Sequence, residues 1–264
     1  MSTDDARRRW EVWREERAEA VSAPYGPLAL TGTHWLAEAP EGRIPAIPGR
    51  WTPDPGAGSV LLSAAAEDGL TLDGRPLEGR ARLRPDGGPA VARVAHGERK
   101  LPVLRREGLW AVRVFDPGSP RRRAFAGIDV FDHAVRWALP GRFRPYERER
   151  AVLVAHADGR ERPLRLSGEL VFALGGEEYT LQAGTEADGS LWAVFSDGTS
   201  GTAGYRFRFL RLPAPESGRP VTVDFNRAVL PPCAFADHFI CPFPPPGNRL
   251  PFPVPAGERN PLTR

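Results

Sequence analysis

The first hydrophobic pattern in the chain is that of an amphipathic helix. Apolar or long side chains recur at helical intervals, with charged residues between them, at Ala6, Trp10, Trp13, Arg17 and Val21. Ser2 and Asp5 have the spacing of a capping box, and Pro24 ends the pattern. Because two tryptophans share one stripe, we expect this helix to pack on the rest of the protein.

After the helix, the pattern becomes that of short strands separated by turns. Residues 24–58 form a proline-rich, mostly irregular connection with one short strand-like run at 28–36. Asp73-Gly74 is a strong hairpin signal, because Gly supplies the positive φ of a two-residue turn. The predicted strands of the first half are 59–64, 70–73, 81–84, 90–95, 101–106 and 109–115. Those of the second half are 151–155, 161–166, 169–174, 178–182, 191–195, 205–212 and 220–225.

The pattern as a whole predicts an all-β, mainly antiparallel fold with sandwich or barrel-like halves and one N-terminal helix. We divide the chain into residues 1–48, 49–145 and 146–264, or read the last two segments as one integrated domain. Leu-Trp-Ala-Val occurs at both 109–112 and 191–194. This echo indicates either a duplicated β-unit or two strands that solve the same packing problem.

The C-terminal segment, residues 229–264, differs from the strands before it. Ten of its residues are proline, which in isolation suggests a disordered tail. It also carries large apolar side chains that are costly to leave in water, at Phe235, Phe239, Phe243, Leu250, Phe252 and Val254. We therefore expect this segment to wrap the β-core, with its prolines lowering the entropy cost of ordering it.

Composition and charge narrow the function classes. The 264 residues carry a net charge of only +3, and arginines alternate with acids over most of the chain. The tight basic run Arg121–Arg123 is too short for a nucleic-acid surface, so we expect no nucleic-acid binding. No run approaches the roughly 20 apolar residues of a membrane span, and the charged N-terminus lacks a signal core. We expect a soluble, cytoplasmic protein without a membrane partner; its oligomeric state stays open.

Common catalytic and cofactor motifs are absent from the sequence: it has no Gly-rich dinucleotide or phosphate loop, no His-Glu-x-x-His and no nucleophile elbow. Lys100 is the only lysine and sits beside a turn, so Schiff-base catalysis is a poor candidate. Among the five histidines, His34 stands in an otherwise apolar run. Burying an imidazole without a partner is costly, so His34 is either a satisfied core residue or a site residue.

Cys233, His238 and Cys241 have a spacing that soft metal ligands could use. The flanking prolines restrict how the loop could close, and a second ligand pair is missing, so we expect no zinc site and no other cofactor. A disulfide is the alternative to two packed thiols. Because bridges are rare in the cytoplasm, we expect both cysteines to be reduced and dispensable for folding.

A dense polar cluster ends the strand at 220–225. Asp224, Asn226 and Arg227 are followed farther along by Asn248 and Arg249. Carboxylate, amide and guanidinium groups together can hold a polar or anionic ligand. The same groups can instead form a network that pins the proline-rich segment, and the sequence leaves both interpretations open.

These residues carry a family resemblance. Asp-Phe-Asn-Arg-Ala at 224–228, Pro-Pro-Cys-Ala-Phe at 231–235 and Cys-Pro-Phe-Pro-Pro-Pro-Gly-Asn-Arg-Leu-Pro at 241–251 resemble the C-terminal signature of a bacterial family of unknown function, number 1684 in the domain-of-unknown-function series. Further matching stretches are 30–36, 123–127 and 195–201. The resemblance implies no activity.

What the resemblance implies is a set of positions that match the family pattern: His34, Trp35, Asp197, Ser200, Asp224, Asn226, Arg227, Cys233, Cys241, Asn248 and Arg249. The chain departs from the pattern where Gly247 replaces a usual Glu and Phe235 a usual Tyr. His238 does not match a family position, which weakens the zinc interpretation further.

The favoured hypothesis is a protein that binds a small polar or anionic molecule in a pocket of its β-scaffold. We assign candidate catalytic roles to His34, Ser200 and Asp224, and ligand-binding roles to Trp35, Asp197, Asn226, Arg227, Asn248 and Arg249. One alternative is a hydrolase- or lyase-type enzyme with His34 as acid or base and Arg227 as anion holder. The other is a structural or interaction protein without a small-molecule site.

Overall fold

The computed structural model describes residues 3–45, 47–216 and 219–264. Ser2, and with it the expected capping box, lies outside these ranges. The chain forms two compact units, one of residues 20–124 and one of residues 1–19 with 125–264. The sequence pattern sets boundaries after residues 48 and 145, whereas the contacts divide the chain after 19 and 124.

The unit of residues 20–124 is built on antiparallel strands with a tryptophan-containing core. Its strands are β1 (Leu30–Trp35), β2 (Arg50–Asp54), β3 (Ser59–Ala64), β4 (Leu70–Leu72), β5 (Arg75–Pro76), β6 (Gly79–Leu83), β7 (Val94–His96), β8 (Arg99–Lys100), β9 (Val103–Arg106) and β10 (Leu109–Phe115). Within the described residues, one sheet has the order β1-β10-β8-β7-β4-β5, with β9 also on β10, and the other has the order β2-β3-β6. Trp51, Leu62, Leu101 and Val112 are buried in the core of the unit.

Glycine at a turn is required where strands β4 and β5 meet. Asp73 has φ 51° and Gly74 has φ 77°, the pair of positive values that a type I′ hairpin needs. Asp73 tolerates this conformation better than most residues. The turn sets the register in which Thr71 faces Pro76. A short helix, α2 (Pro120–Ala124), contains the Arg121–Arg123 run at the end of this unit.

The other unit contains most of helix α1 (Thr3–Ser22) and a large antiparallel sheet. Its strands are β11 (Phe125–Val130), β12 (Ala138–Ala155), β13 (Glu161–Leu174), β14 (Glu177–Thr185), β15 (Leu191–Phe195), β16 (Arg208–Leu212), β17 (Val221–Asp224) and β18 (Glu258–Thr263). In the part of the chain that is described, the large sheet has the order β16-β15-β14-β13-β12-β17, and β11 pairs with β18. Phe172, Phe195 and Phe225 meet edge to face in the core.

Three-residue 3₁₀ turns connect many of these strands. Those described are Pro27–Ala29, Leu36–Glu38, Pro40–Gly42, Pro55–Ala57, Ala66–Asp68, Pro89–Val91, Val135–Trp137, Phe225–Arg227 and Pro232–Ala234. Neither α1 nor α2 combines the length with the apolar composition that a bilayer crossing requires.

The predicted fold class is confirmed: the structure is mainly antiparallel β with an N-terminal helix and a proline-rich C-terminal segment packed on it. Phe235, Leu250 and Val254 of that segment are buried. Two of the differences from the strand prediction lie at residues 90–95 and 205–212. Residues 90–95 divide into the 3₁₀ turn Pro89–Val91 and strand β7, and the predicted strand 205–212 begins only at Arg208.

Candidate functional site

A small pocket lies where strand β1 ends in the unit of residues 20–124. It has a volume of about 200 Å³, and its lining includes Thr33, His34, Trp35, Glu38 and Arg43. Strand β1 supplies the first three residues, the 3₁₀ turn Leu36–Glu38 supplies the carboxylate, and the following loop supplies the guanidinium. His34 is half-buried and Trp35 is buried, whereas Glu38 and Arg43 are exposed at the rim. The pocket therefore combines a polar rim with a partly enclosed imidazole.

The orientation of His34 depends on a glycine two residues earlier on the same strand. A Cβ atom at Gly32 would lie 2.4 Å from Nε2 of His34, closer than two such atoms can approach. The bare backbone of Gly32 thus provides the space that the imidazole occupies. Both residues are held in the sheet by strand β10, where Gly32 faces Val114 and His34 faces Val112.

In the other unit, Asn226 is a hub that fastens helix α1 and a loop to the sheet. Its Oδ1 accepts from the backbone N–H of Ala134 at 3.0 Å, and its Nδ2 donates to the Ala134 carbonyl at 3.1 Å. Nδ2 also donates to Oδ1 of Asp224 at 2.9 Å, and the Asn226 carbonyl accepts from Nε1 of Trp10 at 2.8 Å. The amide is buried and saturated by protein partners, so its chemistry is that of a structural pin.

Arg227 leaves this hub toward solvent. Its guanidinium carbon lies 5.4 Å from the Trp13 ring centre, and Nε is 3.7 Å from Oδ2 of Asp224. The side chain is 41% exposed. Its guanidinium therefore makes a cation–π contact with Trp13 of helix α1, and its N–H donors remain accessible to water.

Asp197 and Arg208 form a buried ion pair beneath the C-terminal segment. Nη2 of Arg208 donates to Oδ2 of Asp197 at 2.6 Å and to the Val254 carbonyl at 3.0 Å, and Nη1 donates to the Ala256 carbonyl. The Arg208 side chain is 2% exposed and the Asp197 side chain is 0% exposed. Burial alone would raise the pKa of Asp197, but Arg208 and the hydrogen bonds from Thr199 outweigh it and lower that pKa. Burial lowers the pKa of Arg208, yet an arginine stays protonated in a protein.

Ser200 belongs to the turn that presents Asp197. Its Oγ accepts from the Asp197 backbone N–H at 3.0 Å, while Oδ1 of Asp197 accepts from N and Oγ1 of Thr199, each at 2.7 Å. The same Oδ1 accepts from the Val254 backbone at 3.1 Å. Ser200 therefore stabilises the turn.

Asn248 and its neighbour Arg249 have opposite environments. The Asn248 side chain is fully buried and bonds to the backbone of Gln182 and Val194. Arg249 is exposed, and its backbone forms a bridge with Ser196. The first residue holds the C-terminal segment on the sheet, and the second presents a cation to solvent.

A second, partly buried ion pair links helix α1 to residue Glu258 near the end of the chain. Nε of Arg17 lies 3.1 Å from Oε1 of Glu258, whose Oε2 accepts from the Leu230 backbone at 2.6 Å. Glu258 is 2% exposed, and burial raises its pKa above the usual range. This contact and the Trp10 hydrogen bond explain why the helix packs on the sheet as the sequence predicts.

Cys233 and Cys241 are unbridged thiols, both buried. Among the described residues, no group of three or more His, Cys, Asp or Glu side chains is placed to hold a metal ion. The Cys233 backbone N–H donates to Sγ of Cys241 at 3.3 Å. The hydrogen bond with Cys241 outweighs burial and, with those from Tyr205 and Arg206, lowers the pKa of Cys233 to about 7. Burial, reinforced by Cys233, raises the pKa of Tyr205 to about 12.

The candidate residues thus fall into separate sets. His34 and Trp35 line the small pocket of one unit. The remaining candidate residues lie in the other unit and belong to three networks. One contains Asp224, Asn226 and Arg227, one contains Asp197 and Ser200, and one contains Asn248 and Arg249. Within the described residues, no side-chain hydrogen bond or ion pair joins a member of one of these three networks to a member of another.

Sequence reasoning missed four residues that matter to these sites. Glu38 and Arg43 lie in a stretch whose prolines obscure any periodic signal. Arg208 alternates with Phe207 and Phe209, a pattern typical of a strand with one solvent-facing side. The C-terminal segment covers that side, and Arg208 is buried. Glu258 follows Gly257 near the end of the chain, where no spacing marks it as buried.

Comparisons with known proteins identify a matching protein family and a similar solved structure. A family model described as "Protein of unknown function (DUF1684)" matches residues 123–259. The solution NMR structure of an uncharacterized protein from Haloarcula marismortui is similar, with 32% sequence identity over 51% of this chain and 77% of that chain, and a TM-score of 0.43. No curated protein matches.

Proposed function

The chain belongs to the DUF1684 family of proteins of unknown function, and on that footing we propose that it binds a small polar molecule with an anionic group. The binding site is the pocket lined by Thr33, His34, Trp35, Glu38 and Arg43. This pocket lies outside the segment that the family model matches.

The observation that supports it is the convergence of complementary groups on one small cavity. A guanidinium such as Arg43 offers paired N–H donors that match a carboxylate or phosphate. His34 and Thr33 offer a ring nitrogen and a hydroxyl to the remainder of the molecule, and Trp35 provides an apolar wall. Glu38, on the 3₁₀ turn that also lines the pocket, carries a carboxylate that can accept from a hydroxyl or ammonium group.

The other candidate polar residues are poorer ligand-binding groups. The amides of Asn226 and Asn248 and the Asp197 carboxylate are buried and bonded to protein partners. A ligand would have to break those bonds and leave buried backbone groups without partners.

The pocket volume limits the ligand. Because water occupies about 30 Å³ per molecule in the liquid, 200 Å³ corresponds to about seven waters. That space fits a carboxylic acid or amino acid of a few carbons, and it is smaller than the 300 Å³ or more of a typical drug-sized site. Nucleotides and sugar phosphates are too large to be enclosed.

The test is a thermal-shift and calorimetric titration with succinate, alanine, inorganic phosphate and uncharged glycerol. We expect at least one anion to bind the wild-type protein and glycerol not to bind. Arg43→Gln should weaken that binding about tenfold or more, since a charge-assisted hydrogen bond contributes about 1.5–3 kcal/mol. Arg80→Gln is the matched control, because Arg80 is an exposed arginine of the same unit on strand β6. Equal affinity in both variants, or no binding by any probe, contradicts the proposal.

An enzyme is the second candidate, because an imidazole and a carboxylate, those of His34 and Glu38, both line the pocket. His34 would act as acid or base on the bound molecule, in a hydrolase- or lyase-type reaction. NMR spectra of a bound probe over a day distinguish the two functions. Conversion that His34→Gln abolishes while binding persists favours the enzyme, whereas an unchanged ligand favours the binding protein.

A further inference from the structure

The two cysteines form a second cluster of reactive groups, independent of the His34 pocket. Cys233 lies in the 3₁₀ turn Pro232–Ala234, and Cys241 precedes Pro242. The hydrogen bond from the Cys233 backbone to Sγ of Cys241, at 3.3 Å, places the second sulfur against the first residue. The Cys241 carbonyl accepts from the Ala157 backbone at 2.9 Å, which fixes that end of the loop on the sheet.

The surroundings of Cys233 favour its thiolate. Oη of Tyr205 lies 3.7 Å from Sγ of Cys233 and 3.4 Å from its carbonyl oxygen, and is the donor to both. The Arg206 guanidinium lies 4.6 Å from the ring centre of Phe243 and also stacks on Phe207. The groups that lower the pKa of Cys233 are Cys241, Tyr205 and Arg206. A thiolate held by a cation and a hydroxyl is the form of cysteine that attacks peroxides.

We propose that Cys233 and Cys241 are a peroxide-reactive dithiol, in which Cys233 is the attacking residue and Cys241 the resolving residue. The Cys233 thiolate attacks one oxygen of hydrogen peroxide, which forms an S–O bond, breaks the O–O bond and releases hydroxide, so that Cys233 becomes a sulfenic acid. The Cys241 thiol then displaces the hydroxyl group from sulfur, which forms the disulfide and releases water. Overall, two thiols and one hydrogen peroxide give one disulfide and two waters.

The assignment of roles follows from the contacts. Cys241 first, and then Tyr205 and Arg206, lower the pKa of Cys233 and so support a negative charge on its sulfur. Cys241 also accepts a backbone hydrogen bond from Cys233, which holds its sulfur beside the site where the sulfenic acid forms. Proximity of this kind favours the second step over further oxidation of Cys233.

The size of the oxidant follows from burial. Each cysteine is only 5% exposed, and the aromatic side chains Tyr205, Phe239 and Phe243 pack around them. A molecule as small as hydrogen peroxide reaches such a sulfur through local fluctuation, whereas a bulky lipid peroxide or a protein disulfide does not. The structure thus favours hydrogen peroxide as the substrate class.

The test is the intact mass of the full-length protein after a stoichiometric amount of hydrogen peroxide. We expect a loss of ~2 Da, the two hydrogens removed by one disulfide, and a digest in which the Cys233 and Cys241 peptides are joined. In Cys241→Ser, which lacks the resolving thiol, a sulfenic-acid trap such as dimedone should label Cys233. In Cys233→Ser, the trap should leave Cys241 unlabelled.

A third variant tests the environment without removing either sulfur. Arg206→Gln should slow disulfide formation at pH 7 by about twofold or more, because loss of the guanidinium raises the pKa of Cys233 and lowers its thiolate fraction at that pH. Arg211→Gln, an exposed arginine on strand β16, should leave the rate unchanged. An unchanged mass in the wild-type protein overturns the proposal, as do only intermolecular disulfides or dimedone labelling that is confined to Cys241. Since the wild-type measurement needs no variant, a folding defect in a variant does not protect the proposal.

Discussion

Replacing Asn248 with alanine removes the side-chain amide that joins strands β14 and β15 where their own pairing has ended. The strands pair at Gly184 with Trp192 and at Thr185 with Leu191. Beyond these positions the amide of Asn248 lies between them. Its Oδ1 accepts from the Gln182 N–H at 2.8 Å, and its Nδ2 donates to the carbonyls of Gln182 and Val194 at 2.9 and 2.8 Å.

The expected magnitude follows from these three bonds. Asn248 is fully buried, so alanine leaves one backbone N–H and two carbonyl groups without partners and without water. Each buried group that loses its hydrogen bond lowers the free energy of unfolding by about 1–3 kcal/mol, and a carbonyl oxygen, which has two lone pairs, costs less than an N–H. We expect the free energy of unfolding to fall by about 3–5 kcal/mol, a large part of the 5–15 kcal/mol of an ordinary domain. Asn248→Asp, which keeps the shape but loses both N–H donors, should be at least as damaging.

Urea denaturation followed by tryptophan fluorescence measures the effect, with the midpoint compared at constant slope. Arg249→Ala is the matched control, since the neighbouring side chain is exposed and its loss should change stability by less than about 0.5 kcal/mol. A loss below about 1 kcal/mol in Asn248→Ala, or an equal loss in both variants, would refute the structural role of this amide.

Four other predictions concern the same unit. Arg208→Met leaves the Asp197 carboxylate buried without its counter-ion, so urea denaturation should show a loss of about 3–5 kcal/mol; a loss of less than about 1 kcal/mol contradicts the account. Folding lowers the pKa of Asp197, so its ionised carboxylate stabilises the folded protein above the unfolded pKa of ~4, and this stabilisation is lost as the pH falls below that value through the folded pKa. Asp197→Asn should therefore lose less stability than the wild-type protein on acidification. Truncation after Phe225 should give insoluble or molten protein, since it removes buried apolar side chains from the core; a soluble product with a cooperative melt contradicts this. Alkylation of Cys233 by iodoacetamide should rise with pH around a midpoint of about 7, and a midpoint at the ordinary thiol value of about 8.5 contradicts the environment described.

The sequence predicts strands best where alternation is regular and turns flank it. Strands β3, β10 and β15 have the predicted bounds. The predicted strands 161–166 and 169–174 are instead one strand, β13, because Gly168 continues it. A Cβ there would lie 2.5 Å from both the Arg144 carbonyl oxygen and Cζ of Phe143, so the glycine permits close approach of β12 and does not break the strand.

Strands β11 and β18 were missed for a different reason. They form a two-stranded sheet, in which Pro261 faces Ile128 at an edge position that tolerates the missing N–H. The start of β12 carries Pro140 and Pro145, with Arg142 and Arg144 between them, and this composition hides the strand from a hydrophobic count. Proline content therefore misled the prediction wherever a strand lies at an edge or at an irregular position.

For the candidate site, sequence reasoning found residue types more readily than their partners. His34 and Trp35 were identified, but Glu38 and Arg43 depend on a 3₁₀ turn and loop that no spacing rule predicts. Asn226 and Asn248 were identified as members of a polar cluster that could bind a ligand or pin the proline-rich segment. Their backbone partners, at Ala134, Gln182 and Val194, are set by tertiary packing and are invisible in sequence.

The central claim, an anion-binding pocket at His34, is tested most directly by the imidazole nitrogen resonances of the five histidines. Long-range ¹H–¹⁵N NMR spectra resolve each ring, and His34→Gln assigns the relevant signals. On titration with the anion that binds, we expect the His34 signals to shift saturably in the wild-type protein and to lose that response in Arg43→Gln. Saturable shifts at another histidine with His34 unchanged would place the ligand elsewhere and contradict the account.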